Sequence, residues 1–396
     1  MKKYSFKTSS PREDSNAEKY TKRELLFNTK DVTPLWVADM DIDTPDFVLD
    51  AIKKRLEHPV IGYEEMPKKA FEVQCEWMKK HHGVSFSAED MLYSHSVVAS
   101  MSVAIEAFCE VGQKVIVQTP VYPQFFKSVT KSGRMVLQNS LKLQDDGTYT
   151  FDIEDLKSKI DSDTKLLLLS SPHNPVGRVW RQDELEQILE VCLEHNIVVF
   201  SDEIHSDLVF APNKHIPFAS LSPSARDITI TAIGVGKSFN MAGFAISSVA
   251  IANKDLMARY KRVYDFWHFA QGNILSHTAF YSAYKYGDIW LDELKEHLHS
   301  NYKKLDELLK NYDFIKLTPL EGTYLAWLDC RGFGLSDKEL REFFVKKCGV
   351  GLSAGTSFSK EGSGFMRLNF AISSDAMDEV LIKLKRGLDE HRLGRV

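Results

Sequence analysis

Several common signatures are missing from this chain, and each absence excludes a class of function. Its 396 residues contain only 5 cysteines. Cys75, Cys109, Cys192, Cys330 and Cys348 are scattered, and no C-x-x-C occurs. That pattern excludes a disulfide framework and a zinc ribbon, predicts no metal site, and suits a reduced, cytoplasmic protein. No run of about 18 apolar residues exists, so no membrane span is expected. The opening stretch, MKKYSFKTSSPRED, has no apolar core and does not read as a secretory signal. There is no basic excess either: 50 Lys and Arg stand against 55 Asp and Glu, mixed along the chain. A nucleic-acid surface is therefore not expected. Repeats and low-complexity linkers are also absent.

What is present is an alternation of short apolar runs and amphipathic segments, in a chain long enough for two domains. AFEVQCEWMKKHHG predicts a helix closed by glycine, and SVVASMSVAIEAFCEVG predicts a turn feeding a helix. KVIVQTP, KLLLLSS, IVVFSDE and DITITAIG predict strands, with DELEQILEVCLEHN a helix among them. Strands alternating with helices imply a mostly parallel sheet between helical layers, an α/β architecture. From about residue 286 the texture changes. A long amphipathic helix, IWLDELKEHLHSNYKKLDELLKNY, leads into TYLAWLDC, DKELREFFVKKCG and GFMRLNFAI. This predicts three parts: an irregular arm over 1–45 belonging with the smaller domain, a large domain over 46–285, and a small α+β domain over 286–396.

Ligands of open parallel sheets bind outside the carboxyl ends of the strands. Three predicted strands end in polar clusters: SSPHNPVG, SDEIHSDL and GVGKS. Asn174, Asp202 and Lys237 should therefore share one rim. GVGKS is not a nucleotide loop, because Thr231 stands where the first glycine of that motif belongs. A lysine among small residues at a strand end can form a Schiff base with an aldehyde if burial keeps it partly neutral. A buried carboxylate can hold a protonated pyridine nitrogen. Taken singly, each residue also has a plain structural reading: Lys237 as a surface lysine, Asp202 as a cap or a solvated strand end, Asn174 as an Asn-Pro turn. The start of SVVAS can offer backbone N–H groups to a phosphate.

SSPHNPVGR, SDEIHSDL, GKSFNMAG and GFMRLNFA, in this order, resemble fold-type I enzymes dependent on pyridoxal 5′-phosphate (PLP), the aspartate aminotransferase superfamily. The resemblance spans about residues 30 to 390. PLWVADMD, IGYEEMP, PVYPQF, DEIHSDL and AYKYGDIWLDELKEHL resemble its cystathionine β-lyase, or C–S lyase, branch. The resemblance implies Lys237 as the covalent and proton-shuttling lysine and Asp202 as partner of the ring nitrogen. It implies ring contacts from Ile204 and Tyr122, the latter also serving catalysis, and a bond from Asn174 to the ring oxygen. Phosphate contacts would come from Ala99 and Ser100. Tyr63 would reach the phosphate and substrate of a neighbouring subunit, which implies a homodimer. Arg367 would clamp the substrate carboxylate, and Asp39 and Asp41 would line the entrance. His205 and Asp207 would lie just outside the ring. The implied reaction is α,β-elimination on an L-cysteine conjugate, with amino-group transfer as the alternative. The chain departs from many relatives in carrying Gly234 and Gly236 where they have serines. It also has Ala245 where many aminotransferases place a phosphate-binding arginine.

Overall fold

The computed structural model describes residues 3–394. Seven strands form the central sheet: β1 Met91–Ser94, β2 Lys114–Thr119, β3 Met135–Ser140, β4 Thr164–Ser170, β5 Val198–Asp202, β6 Thr229–Ile233 and β7 Ser247–Ala250. Their spatial order is β1-β7-β6-β5-β4-β2-β3. β2 to β6 run parallel, as does β3 beside β2, while β7 is antiparallel to both β1 and β6. Helices cover both faces, so interior strands are buried on both sides. That is why Leu166 to Leu169 read as an unbroken apolar run rather than an alternating one. DITITAIG reads as alternating, yet every residue of β6 is buried, because its threonines also face packed layers.

A second, antiparallel sheet has the order β8-β9-β11-β10, with β8 Lys316–Leu317, β9 Leu325–Asp329, β10 Ser353–Ala354 and β11 Phe365–Asn369. Helices Asp288–Leu309 and Ser374–Leu393 pack together behind it. The amino-terminal arm is less irregular than its composition suggests. It holds short helices Glu18–Thr21 and Arg23–Phe27. Thr33–Pro34 then pairs parallel with Val350–Gly351. Asn369 binds this stretch three times more, donating from Nδ2 to the Val37 and Asp39 carbonyls at 2.5 and 2.6 Å and from its backbone N–H to the Leu35 carbonyl at 2.9 Å. The segment 35–39 is thereby fixed over the end of β11.

The register of the central sheet builds the site. Ser170 pairs with Asp202, and Asp202 pairs with Ala232, so β4, β5 and β6 end level with one another. A buried ion pair joins this rim to the second sheet. Arg178, just after β4, donates from Nη2 to Glu184 at 2.6 Å and from Nη1 to Glu321 at 2.7 Å. Glu184→Ala leaves Arg178 with Glu321 alone and is expected to destabilise the protein by about 1–3 kcal/mol, measured as a fall in the urea midpoint. Glu184→Gln should cost less, because its amide oxygen still accepts from Arg178.

Candidate active site

A cavity of about 790 Å³ opens at the level ends of β4, β5 and β6. Tyr122, Asn174, Asp202, Ile204, Lys237, Arg367 and Asp39 all line it. The acids of SDEIHSDL sort by their partners. Glu203 turns away from the cavity and is satisfied by Ser201 Oγ at 2.8 Å, His215 Nε2 at 2.9 Å and the Phe218 N–H at 3.1 Å. Asp207 accepts from Trp77 Nε1 at 2.9 Å and Ser238 Oγ at 2.7 Å, and meets His82 Nε2 at 2.8 Å. Asp202 has only the Ile204 N–H at 3.1 Å. Burial pushes its carboxyl up to about 7, against a weaker pull from that N–H and from Lys237. A buried carboxylate without a cation is costly, and a protonated ring nitrogen is a partner that fits it.

Lys237 stands on the turn after β6. Its Nζ donates to the Ala38 carbonyl, which also accepts from Tyr324 Oη at 2.8 Å. Burial, reinforced by the positive charge of Arg367, lowers the ammonium to about 8. The amine is thus neutral in a substantial fraction near physiological pH, as attack on a carbonyl group requires. Asp207 steadies the next residue through Ser238, and Trp290 Nε1 donates to the Ser238 carbonyl at 3.2 Å.

Arg367, on β11, is 5% exposed and has no carboxylate partner. It donates to Asn174 Oδ1 at 3.0 Å and to the Trp36 carbonyl at 2.7 Å, its Nε is unpartnered, and it lies over the Phe358 ring. Burial lowers it to about 10. It can still take up an anionic group such as a substrate carboxylate. Because Asn174 gives its oxygen to Arg367, its amide NH2 remains free to donate. Burial also raises the Tyr122 phenol, partly offset by Arg367.

Two expectations change. Ala99 and Ser100 do not line the cavity, whose contact with this helix is at Ser96, Val97 and Val98. The reason is the cap. Ser96 Oγ accepts from the Ala99 N–H at 3.1 Å, and the Ser96 carbonyl accepts from the Ser100 N–H. The free amides of the first turn are those of Val97 and Val98. Asp39 lines the cavity, but Arg12 and Lys19 already engage its carboxylate. Asp41 is held by the same two cations and is not among the lining residues. Tyr63, expected to act on a neighbouring subunit, is 95% exposed and lies outside the cavity of its own chain. Sequence reasoning gave no role to Tyr324, Trp36, Ala38 or Ser238, which act through contacts that no local spacing signals. His205 does line the cavity, with Nδ1 buried and unpartnered.

The aminotransferase class I and II family model matches residues 30–384, and the chain belongs to that family. It is 39% identical over 372 residues to cystathionine beta-lyase PatB of Bacillus subtilis (strain 168), covering 93% of this chain and 96% of that one. Cystalysin from Treponema denticola, whose crystal structure contains a PLP cofactor, superposes with a TM-score of 0.94 at 31% identity, over 98% of this chain and 99% of that one. The PLP-bound C-S lyase from Staphylococcus hominis superposes with a TM-score of 0.89 at 31% identity, over 97% and 98%.

The two glycines before Lys237 are not equivalent. A Cβ on Gly234 would lie 2.9 Å from Ser247 Cβ, whereas at Gly236 the nearest atom, Ala242 Cα, is 3.6 Å away. Gly234→Ser should cost about 1–3 kcal/mol of stability by overpacking, and Gly236→Ser should be near neutral in a thermal melt. Asp202 gives a second test. Its folded value of about 7 exceeds the ordinary 3.8, so the native state binds the extra proton between those limits. Its contribution is full below about pH 4 and is lost as pH rises to 7, a span of about 4 kcal/mol. Asp202→Asn in cofactor-free protein should flatten the fall in stability over that range. Parallel slopes for the two proteins would contradict the assignment.

Proposed function

We propose that this chain is a PLP-dependent carbon–sulfur β-lyase that splits L-cystathionine or related L-cysteine S-conjugates into a thiol, pyruvate and ammonia. The observation that carries the cofactor is Asp202, buried without a countercharge in the cavity that also holds the part-neutral Lys237. Likeness over nearly the whole chain to cystathionine beta-lyase PatB and to the C-S lyase supports elimination rather than amino-group transfer.

When bound, PLP would supply a sink for the electrons freed at Cα. Asp202 would hold the proton on the ring nitrogen, which makes the ring a strong acceptor. The Asn174 amide would donate to the ring oxygen, Tyr122 and Ile204 would cover the ring, and Val97 and Val98 would offer their N–H groups to the phosphate. Arg367 fixes the substrate carboxylate and thereby turns the Cα–H bond toward Lys237. Lys237 takes the Cα proton, and the same ammonium can protonate the departing sulfur. The Cα–H and Cβ–S bonds break, the thiol leaves, and water converts the remaining unsaturated amine to pyruvate and ammonia.

We further infer a homodimer in which Tyr63 of one subunit completes the site of the other. Its exposure, beside exposed Val60 and Ile61, supports this reading. The division into 1–45, 46–285 and 286–396 is likewise our proposal, with the arm assigned to the smaller part through its bonds to β11. Among the described residues no helix is long and apolar enough to cross a membrane. We place the protein in the cytoplasm, a setting that suits five free cysteines.

The reaction is tested by supplying L-cystathionine with no keto acid. Pyruvate should accumulate over many turnovers, because elimination returns the enzyme to its starting form. A burst of about one turnover per site that resumes only on adding a keto acid, as ping-pong chemistry requires, would establish amino-group transfer instead.

A further inference from the structure

The anion end of the cavity is short of positive charge. It is enclosed by the turn from β1 into the Val97–Phe108 helix and by the segment leading into β7. Among the lining residues of these two segments, His95 is the only ionisable side chain. The neighbouring positions cannot help: Gly234, Gly236 and Ala245 carry no polar side chain, and the space beside Gly234 is filled by Ser247.

His95 is oriented by a short relay. Its Nδ1 lies 2.9 Å from Tyr93 Oη, and Tyr93 Oη lies 3.3 Å from the Ala245 carbonyl oxygen. The carbonyl can only accept, and the phenol has one proton to give. If the phenol gives it to Nδ1, the neutral ring carries its hydrogen on Nε2. If the phenol gives it to Ala245, Nδ1–H donates to the phenol, and a protonated ring again carries a hydrogen on Nε2. The remaining arrangement, a neutral ring with Nε2 bare, is the one an anion disfavours. Because Nδ1 is turned back onto Tyr93, Nε2 points the other way. Phe269, with ring centroids 5.6 Å apart, packs against the imidazole, and Tyr93 meets it edge-on.

We propose that His95 is a ligand of the cofactor phosphate, donating Nε2–H beside the Val97 and Val98 amides, with Tyr93 as the residue that positions it. This rests on the PLP reading above and assigns a phosphate partner particular to this chain's own residues. Burial keeps the free imidazole below its ordinary value, so the ring carries little standing charge before the anion arrives.

The test compares two probes on cofactor-free protein, PLP and pyridoxal, which lacks the phosphate. Fluorescence titration gives a dissociation constant for each. His95→Phe should weaken PLP by about ten- to a hundredfold, the worth of a hydrogen bond to a charged group, and leave pyridoxal unchanged. Tyr93→Phe keeps the packing and removes the relay, so it should lower the same affinity ratio by a smaller factor. His95→Gln, which retains a donor, should recover part of the loss. An unchanged ratio in His95→Phe overturns the proposal, as does an equal loss for both probes. If His95→Phe does not fold, an unchanged ratio in both Tyr93→Phe and His95→Gln overturns it. Wild-type protein that binds neither probe would instead refute the cofactor reading itself.

Discussion

The site depends on one electrostatic constraint, a carboxylate buried at the end of a parallel strand with no cation of its own. Asp202 sits where the sheet register makes it level with Ser170 and Ala232. Its neighbours in sequence solve the same problem internally. Glu203 turns to Ser201 and His215, and Asp207 turns to Trp77, His82 and Ser238. Only Asp202 is left facing the cavity with a single backbone donor. A folded protein tolerates an unpaired buried charge at a cost of several kcal/mol, and a ligand that brings the missing cation recovers that energy as affinity.

The remaining charges follow from the same enclosure. Lys237 and Arg367 are both buried in the cavity; burial pulls each toward its neutral form, and the charge of Arg367 pulls Lys237 further, while the phenols of Tyr122 and Tyr324 partly restore Arg367. Arg367 is held by neutral acceptors, Asn174 and the Trp36 carbonyl, rather than by a carboxylate. Its positive charge therefore stays available for a substrate anion. The arm closes this arrangement. Lys19, fully buried, and Arg12 occupy the carboxylates of Asp39, which lines the cavity, and of Asp41 beside it in sequence.

Much of this was legible in the sequence because strand-ending chemistry leaves a local mark. Apolar runs stopping at HNPVG, SDEIH and GVGKS identify Asn174, Asp202 and Lys237 as one rim without any knowledge of packing. Arg367 needed the family resemblance, since an arginine in an apolar strand is equally a structural ion pair. Ala99 and Ser100 were expected at the phosphate, but which amides of the helix start are free depends on which serine caps it. Ser96 does so, which leaves Val97 and Val98 as the free donors. The ordering of the arm, the pairing of Asp39 with Arg12 and Lys19, and the relay from Ala245 through Tyr93 to His95 join distant segments. No spacing pattern reports such contacts. Gly234 shows the same limit, because its lack of a side chain is explained only by Ser247 across the sheet.

On the function proposed above, Lys237, in the cavity it shares with Asp202, is the amine that bonds the cofactor. Borohydride reduces a lysine–cofactor C=N bond to a stable secondary amine. Reduction of the yellow holoenzyme, followed by proteolysis and mass spectrometry, should place a single pyridoxyl group on the peptide containing Lys237. A pyridoxyl group on Lys127 or Lys19, or its absence from Lys237, would contradict it.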